Sequence, residues 1–222
     1  MARPADPRHS AVQPDLLPAP DATVVCGVDE AGRGPLAGPV MAAAVVLNPA
    51  RPIEGLRDSK QLSAQRRFEL AILIRRHALA WSVASCDVRE IDELNILQAS
   101  LLAMRRAVDA LAIRPTLARV DGNQPPRLLC AVQTLVNGDC LDPAISAASI
   151  LAKTERDAWM LRLHADHPQY RFDQHKGYAT AEHVRLLYLH GPCAEHRRTF
   201  APVRQALSDA RVAPADAGAS QH

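Results

Sequence analysis

Two apolar runs separated by a segment rich in glycine and proline constrain the fold of this chain more than any other feature. The runs cover residues 23–28 and 40–47, and valine is frequent in both. Short apolar runs that contain β-branched residues and end at turn residues are typical of buried strands. The sequence therefore predicts two neighbouring antiparallel strands, joined by residues 29–39.

The rest of the chain alternates between helical and strand-like patterns. Apolar residues at helical spacing predict helices over 62–80, 91–113, 143–167 and 181–190, and short apolar runs predict strands over 81–86, 117–120 and 131–136. Asp142 before Pro143 is typical of a helix N-cap followed by proline at the first position. The order of elements favours an α/β fold, a mixed five-stranded sheet flanked by helices with a helical C-terminal part.

The predicted folded unit is one domain spanning residues 22–209. Residues 1–21 and 210–222 lack a periodic apolar pattern, so we expect disordered tails there. Five cysteines without a Cys-x-x-Cys pair argue against a disulfide framework or a zinc ribbon, and favour the reducing cytoplasm. No apolar run reaches the roughly 20 residues of a membrane span, so we expect no membrane association.

Four acidic residues fall at predicted strand ends beside glycine-containing turns. Asp29 and Glu30 end the first strand, while Asp121 and Asp139 follow two later strands. Such edges are where mixed α/β sheets place their sites. Four converging carboxylates would hold two Mg²⁺ or Mn²⁺ ions, which prefer oxygen ligands and can promote in-line hydrolysis. The alternative for Asp121 and Asp139 is a turn role, because Asp-Gly and Gly-Asp are common in turns.

Gly32, Arg33 and Gly34 follow the acidic pair directly and suggest a nucleic-acid substrate. Glycines there would let the backbone approach a sugar edge, and arginine offers a planar cation for a phosphate. The 2′-hydroxyl is the group that distinguishes RNA from DNA. A Gly-rich turn between strands is also ordinary, so the segment alone would be structural.

A second candidate for phosphate binding lies near the start of the predicted helix over 143–167. Ser146, Ser149 and Lys153 combine hydroxyls and an ammonium with the positive end of the helix dipole. The alternatives are close packing of both serines among alanines and an exposed ion pair between Lys153 and Asp157. Basic pairs elsewhere are candidates for duplex-backbone contacts or solvated helix faces: Arg66-Arg67, Arg75-Arg76, Arg105-Arg106 and Arg197-Arg198.

Six segments are informative in their order and spacing. They are DEAGRGPLAGPV (29–40), LRDSKQLS (56–63), IDELNIL (91–97), DGN (121–123), ISAASILAK (145–153) and HKGY (175–178). Together they resemble bacterial ribonuclease HII over about residues 22–207. The resemblance implies a ribonuclease H-like fold and endonucleolytic cleavage of RNA in RNA-DNA hybrids, including single ribonucleotides in duplex DNA. It also implies metal-dependent hydrolysis that leaves 5′-phosphate and 3′-hydroxyl ends.

The resemblance assigns roles to individual residues. It implies that the Gly-Arg-Gly segment senses the ribonucleotide 2′-hydroxyl and that Tyr178 packs against the following deoxyribose, although Tyr178 is alternatively a partly buried surface aromatic. Lys60 and Lys153 match positions associated with phosphate contacts. The catalytic metal ligands implied are Asp29, Glu30, Asp121 and Asp139.

Other functions and partners stay open at this stage. A ribonuclease HIII or a recombination nuclease would use similar chemistry, but the former usually carries a folded N-terminal domain where this chain has about 21 proline-rich residues. A non-catalytic hybrid-binding protein is expected to have lost some of the four acids. A sliding clamp is a candidate partner for the tails, and a monomer is the default state.

Overall fold

The computed structural model describes residues 23–56 and 62–212. Its central sheet is built from five strands, β1 Val25–Ala31, β2 Val40–Val46, β3 Ala80–Cys86, β4 Leu117–Asp121 and β5 Ala131–Leu135, in the order β3-β2-β1-β4-β5. The pairs β1-β2 and β2-β3 are antiparallel, whereas β1-β4 and β4-β5 are parallel. The predicted mixed five-stranded sheet is confirmed.

Helices cover the sheet and form the C-terminal part. They are α1 Ala64–His77, α2 Val88–Leu94, α3 Ile96–Asp109, α4 Gly138–Leu141, α5 Pro143–Asp166, α6 Phe172–His175, α7 Ala181–His190 and α8 Ala201–Val212, with a 3-10 helix over Pro168–Tyr170. The last helix passes the predicted boundary at residue 209 and runs to Val212. Within the described ranges, no helix has both the length and the apolar character needed to cross a membrane.

Strand β2 is buried on both faces. Ala42, Ala44 and Val46 pack into the core shared with α3, whereas Ala43 and Val45 pack into the core shared with α1 and α5. Successive side chains of a strand point to opposite faces, so this alternation divides the two cores. The pattern explains why residues 40–47 form an unbroken apolar run.

The helix predicted over 91–113 is wrong as a single element. Asn95 has a φ of 70°, which ends α2, and its side-chain oxygen accepts from the backbone N–H groups of Leu97 and Gln98, which begins α3. Asparagine adopts positive φ more readily than most residues and is a favoured N-cap. The apolar spacing continues through this break, so periodicity alone does not reveal it.

Helix α5 begins very close to strand β1. The Asp142 side chain accepts from the backbone N–H groups of Ala144 and Ile145, which confirms the predicted N-cap before Pro143. A Cβ added to Gly27 would lie 2.0 Å from the backbone carbon of Ala144, so only glycine fits at this point of β1. This contact fixes where α5 crosses the sheet and brings its second and third turns toward the end of β1.

Candidate active site

A cavity of about 430 Å³ opens where β1 and β4 end. Because these two strands are parallel, their carboxyl ends lie at the same edge of the sheet. Of the predicted site residues that the structure describes, all except Ser146 line this cavity. The lining consists of Asp29, Glu30, Ala31, Gly32, Arg33, Gly34, Arg67, Asp121, Asp139, Ser149, Lys153 and Tyr178.

The acidic pair lies within β1 rather than at its end, because the strand continues to Ala31. Asp29 pairs with Ala43 of β2 and is only 6% exposed. Its Oδ1 atom accepts from the backbone N–H of Glu30 at 2.7 Å. The Glu30 carboxylate accepts from Arg33 Nη1 at 3.4 Å, so the middle residue of the predicted Gly-Arg-Gly sensor contacts the acidic pair.

The other two acids come from neighbouring elements. Asp121 is the last residue of β4, and its Oδ1 accepts from the backbone N–H of Gly138 at 2.7 Å. Asp139 lies in the short helix α4, not in an open turn, and is 1% exposed. A buried acid in a helix does not fit the turn alternative for Asp139. The bond from Gly138 to Asp121 does stabilise the local backbone, yet Asp121 still lines the cavity.

Ionisation of Asp29 and Glu30 is unfavourable in their present surroundings. Burial raises the pKa of Asp29 well above its usual range, and the charges of Glu30 and Asp121 raise it further, while a hydrogen bond from Ser149 opposes this. Burial also raises the pKa of Glu30, with the Arg33 guanidinium acting in the opposite direction. A cation would offset this crowding of negative charge.

The donor set suits a hard divalent cation, since all four acidic side chains are carboxylates. Across residues 23–56 and 62–212, no three His, Cys, Asp or Glu side chains already have the arrangement of a metal site. Asp29 and Asp121 instead accept from backbone N–H groups. All four carboxylates nevertheless line the same cavity, and each has oxygen lone pairs left with which it could hold such an ion.

One buried arginine, Arg197, holds the Gly-Arg-Gly segment by hydrogen bonds, and a second, Arg156, packs against its first glycine. Arg197 donates to the carbonyls of Gly32 at 2.6 Å, Arg33 at 2.9 Å and Gly38 at 2.9 Å. Gly32 has a φ of 99°, and a Cβ there would lie 2.1 Å from Nε of Arg156. Glycine is therefore required at position 32 by both its backbone conformation and its close approach to Arg156.

Lys153 and Tyr178 lie together in the lining of the cavity. Lys153 Nζ donates to Asp157 Oδ1 at 2.7 Å and sits 5.7 Å from the centre of the Tyr178 ring. The Arg156 guanidinium lies 5.8 Å from the same ring. The ion pair that we considered as an alternative for Lys153 is present, yet Lys153 still lines the cavity, and the Tyr178 side chain is 42% exposed beside it.

Comparison with known proteins identifies the family of this chain. The family model "Ribonuclease HII" matches residues 26–203. A ribonuclease HII of Bordetella pertussis is 65% identical over 194 residues, which are 86% of this chain and 96% of the relative. The chain belongs to the ribonuclease HII family. It is therefore a ribonuclease H of type 2, an endoribonuclease of RNA-DNA hybrids.

Solved structures of comparable chain length share this fold. The ribonuclease H2 of Pyrococcus horikoshii is 27% identical, with a TM-score of 0.70, and the match covers 85% of this chain and 99% of that one. A ribonuclease HII of Archaeoglobus fulgidus, solved in complex with PCNA, is 27% identical with a TM-score of 0.66 and coverage of 82% and 97%. The predicted ribonuclease H-like fold is confirmed.

One predicted substrate contact does not join the cavity, and another cannot be placed. Ser146 is fully buried, and its hydroxyl has no hydrogen-bond partner among the described residues. This placement fits the packing alternative for Ser146 and contradicts its predicted phosphate contact. Lys60 lies outside the described residues.

Sequence reasoning missed the structural roles of the two buried arginines beside the Gly-Arg-Gly segment. Arg156 is fully buried and donates to the carbonyls of Pro39, Lys176 and Ala37 at 3.1 to 3.2 Å. Arg197 is also fully buried, so neither alternative for its basic pair, a duplex-backbone contact or a solvated helix face, applies to this residue. Most arginines lie at the surface, and nothing in the local sequence distinguishes these two.

Proposed function

We propose that this protein cuts duplex DNA on the 5′ side of single embedded ribonucleotides, in addition to the RNA strand of hybrids. The cut breaks the bond between phosphorus and the 3′-oxygen, so that the ribonucleotide keeps a 5′-phosphate and the upstream strand ends in a 3′-hydroxyl. The supporting observation is that the acids, the Gly-Arg-Gly segment and Tyr178 line one cavity.

The proposed cofactor is a pair of divalent ions, Mn²⁺ or Mg²⁺, held by Asp29, Glu30, Asp121 and Asp139. When bound, such ions supply an activated water and stabilise the leaving oxygen. The protein contributes four carboxylates from β1, β4 and α4, and the raised pKa of Asp29 supports a role for a cation at this position. The charge of Asp29 at neutral pH then depends on metal binding.

Substrate choice is proposed to lie beside the carboxylates. The backbone of Gly32, Arg33 and Gly34 would contact the 2′-hydroxyl of the ribonucleotide, and Tyr178 would press its ring on the apolar edge of the next deoxyribose. A following ribose has a 2′-hydroxyl and fits that ring less well. Lys153 and Ser149 would contact a phosphate between these two sugars.

The proposed partners follow from the same activity. The substrate would be an RNA-DNA hybrid or a DNA duplex that contains ribonucleotides. The Archaeoglobus relative was solved in complex with PCNA, which makes a sliding clamp a proposed partner of this chain too. We propose a monomer as the working state and the cytoplasm as its location.

The decisive experiment uses a DNA duplex with one ribonucleotide, compared with the same duplex made wholly of DNA. We expect a single cut 5′ of the ribonucleotide with Mg²⁺ or Mn²⁺, and none with a chelator or with all-DNA. Asp121→Asn is the matched variant, because its amide oxygen can still accept from Gly138 and preserve the fold. Cleavage of all-DNA at a similar rate, or full activity of Asp121→Asn with metal, would refute the proposal.

A further inference from the structure

A cluster of buried aromatic side chains lies behind Tyr178, outside the cavity. His183 and His196 are fully buried in it, and His175 stacks on His183 with ring centres 4.2 Å apart. Tyr170 and Phe172 pack edge-on or tilted against His196. The chemistry described above uses none of these residues, although the cluster is adjacent to the residue proposed to contact the deoxyribose.

A directed chain of hydrogen bonds runs through this cluster to Tyr178. The backbone N–H of Cys193 lies 3.1 Å from His196 Nδ1, which must accept it. His196 Nε2 lies 3.2 Å from His183 Nε2, and His183 Nδ1 lies 2.9 Å from the carbonyl oxygen of Tyr178. That carbonyl can only accept, so His183 carries its proton on Nδ1.

One set of tautomers satisfies every bond of the chain. His183 Nε2 is then an acceptor, and His196 Nε2 carries the proton that is donated to it. The Cys193 thiol, 3.2 Å from His196 Nδ1, can also donate to that nitrogen. Burial lowers the pKa of His183 to about 4 and that of His196 to about 3, so both rings are neutral near pH 7.

We propose that His183 and His196 are positioning residues, which fix Tyr178 through its carbonyl and thereby set the preference for a deoxyribose after the ribonucleotide. The inference rests on the role proposed above for Tyr178. The backbone N–H of Thr180 also donates to this carbonyl, at 2.8 Å, but it belongs to the same turn. The His183 bond ties the turn to α7 and to His196, in addition to the bonds that His175 accepts from the backbone N–H groups of Gly177 and Tyr178.

The segment over residues 193–197 thereby links both proposed recognition elements. Through His196 it reaches the carbonyl of Tyr178, and through Arg197 it reaches the carbonyls of Gly32 and Arg33. Neighbouring residues of one segment therefore hold the sugar sensor and the tyrosine in a fixed relation. Such fixed geometry is what discrimination between a ribose and a deoxyribose requires.

The test compares two amides at position 183. His183→Asn places an amide N–H near the former Nδ1 and keeps the bond to Tyr178, whereas His183→Gln reaches toward His196 and loses that bond. The measured quantity is kcat/KM for a single-ribonucleotide duplex divided by kcat/KM for a continuous RNA-DNA hybrid. We expect His183→Gln to lower this ratio about fivefold, the effect of one buried hydrogen bond, and His183→Asn to stay within about twofold.

Tyr178→Ala separates this inference from the proposed function. If Tyr178→Ala leaves the ratio unchanged, the role proposed for Tyr178 fails, and this inference fails with it. If Tyr178→Ala lowers the ratio but His183→Gln does not, only this inference is overturned. Equal losses in the Asn and Gln variants would also overturn it, because they would reflect damage to the fold.

Two further measurements complete the design. In the Tyr178→Ala background, His183→Gln is expected to cause no additional fall in the ratio, whereas an additive fall would contradict the inference. Should His183→Gln fail to fold, His196→Asn takes its place, because its amide oxygen still accepts from Cys193 but no donor reaches His183. That variant is expected to lower the ratio about twofold, and an unchanged ratio would count against the proposal.

Discussion

Asp29 must meet two opposed requirements. A metal ligand must be ionised, yet burial and the charges of Glu30 and Asp121 favour its protonated form. Because its pKa is raised in the folded state, the ionised side chain lowers the stability of the fold at alkaline pH when no cation is bound. The residue is therefore placed for function at the expense of stability.

Asp29→Asn should separate these two requirements. We expect activity to fall at least about 100-fold, while the metal-free variant melts roughly 2–4 °C higher than the parent at pH 8, because one buried charge is gone. Added Mn²⁺ should raise the melting temperature of the parent but not of the variant. Thermal unfolding with chelator and with Mn²⁺ measures both effects, and equal stabilisation of the two proteins by Mn²⁺ would contradict the assignment of Asp29 as a ligand.

At the residue scale, acids were easier to predict from sequence than arginines. Asp29 and Glu30 stand beside an apolar strand, where a charge is unexpected and signals a site. Arg197 instead follows another basic residue and precedes Arg198, which is the usual pattern of a solvated surface. Only the fold shows that its guanidinium replaces water with three backbone carbonyls.

At the element scale, the approach of α5 to β1 determines how the site is built. The helix supplies Ser149 and Lys153 to the cavity, and the strand supplies Asp29 and Glu30. Their contact depends on Gly27, since an added Cβ would overlap the backbone of Ala144. A small displacement of α5 would thus change both the packing and the cavity.

Gly27→Ala is expected to destabilise the protein by about 3 kcal/mol or more, the effect of overpacking against rigid backbone. Gly34→Ala is the matched control, because its added Cβ would meet only Tyr178 Cε1, at 3.8 Å, and should change stability by less than about 0.5 kcal/mol. Urea unfolding of both variants measures the difference. Similar stability of Gly27→Ala and the parent would show that α5 can move away from β1 without cost.

Sequence periodicity predicted which elements exist better than where they end. The five strands and helix α5 follow from apolar patterns and from the Asp142 N-cap. The break at Asn95 does not, because both α2 and α3 present apolar residues to the same side of the sheet. The helical placement of Asp139 was missed as well, since a four-residue helix is too short to show a period.

At the scale of the whole molecule, the histidine cluster links stability to pH. His183 has a pKa of about 4 in the fold, below its ordinary value of 6.5, because burial disfavours the charged ring. Below about pH 6.5 the unfolded chain binds protons that the folded chain does not, so stability falls as the pH decreases toward 4. The raised pKa values of Asp29 and Glu30 have the opposite effect on stability. The folded chain binds these protons more readily than the unfolded chain, so their contribution to stability rises as the pH decreases.

The fold should therefore lose roughly 3 kcal/mol of unfolding free energy through His183 alone between pH 6.5 and 4, since one pKa unit corresponds to about 1.4 kcal/mol. His183→Asn removes this titrating group, keeps the hydrogen bond to Tyr178 and should flatten the pH dependence in that window. His190→Asn, at an exposed position of α7, is the control and should leave the slope unchanged. Urea unfolding at half-unit pH intervals measures the slopes. A His183→Asn slope equal to that of the parent would mean that the ring gains a proton in the fold as readily as in the unfolded chain, and that its fixed neutral tautomer is wrong.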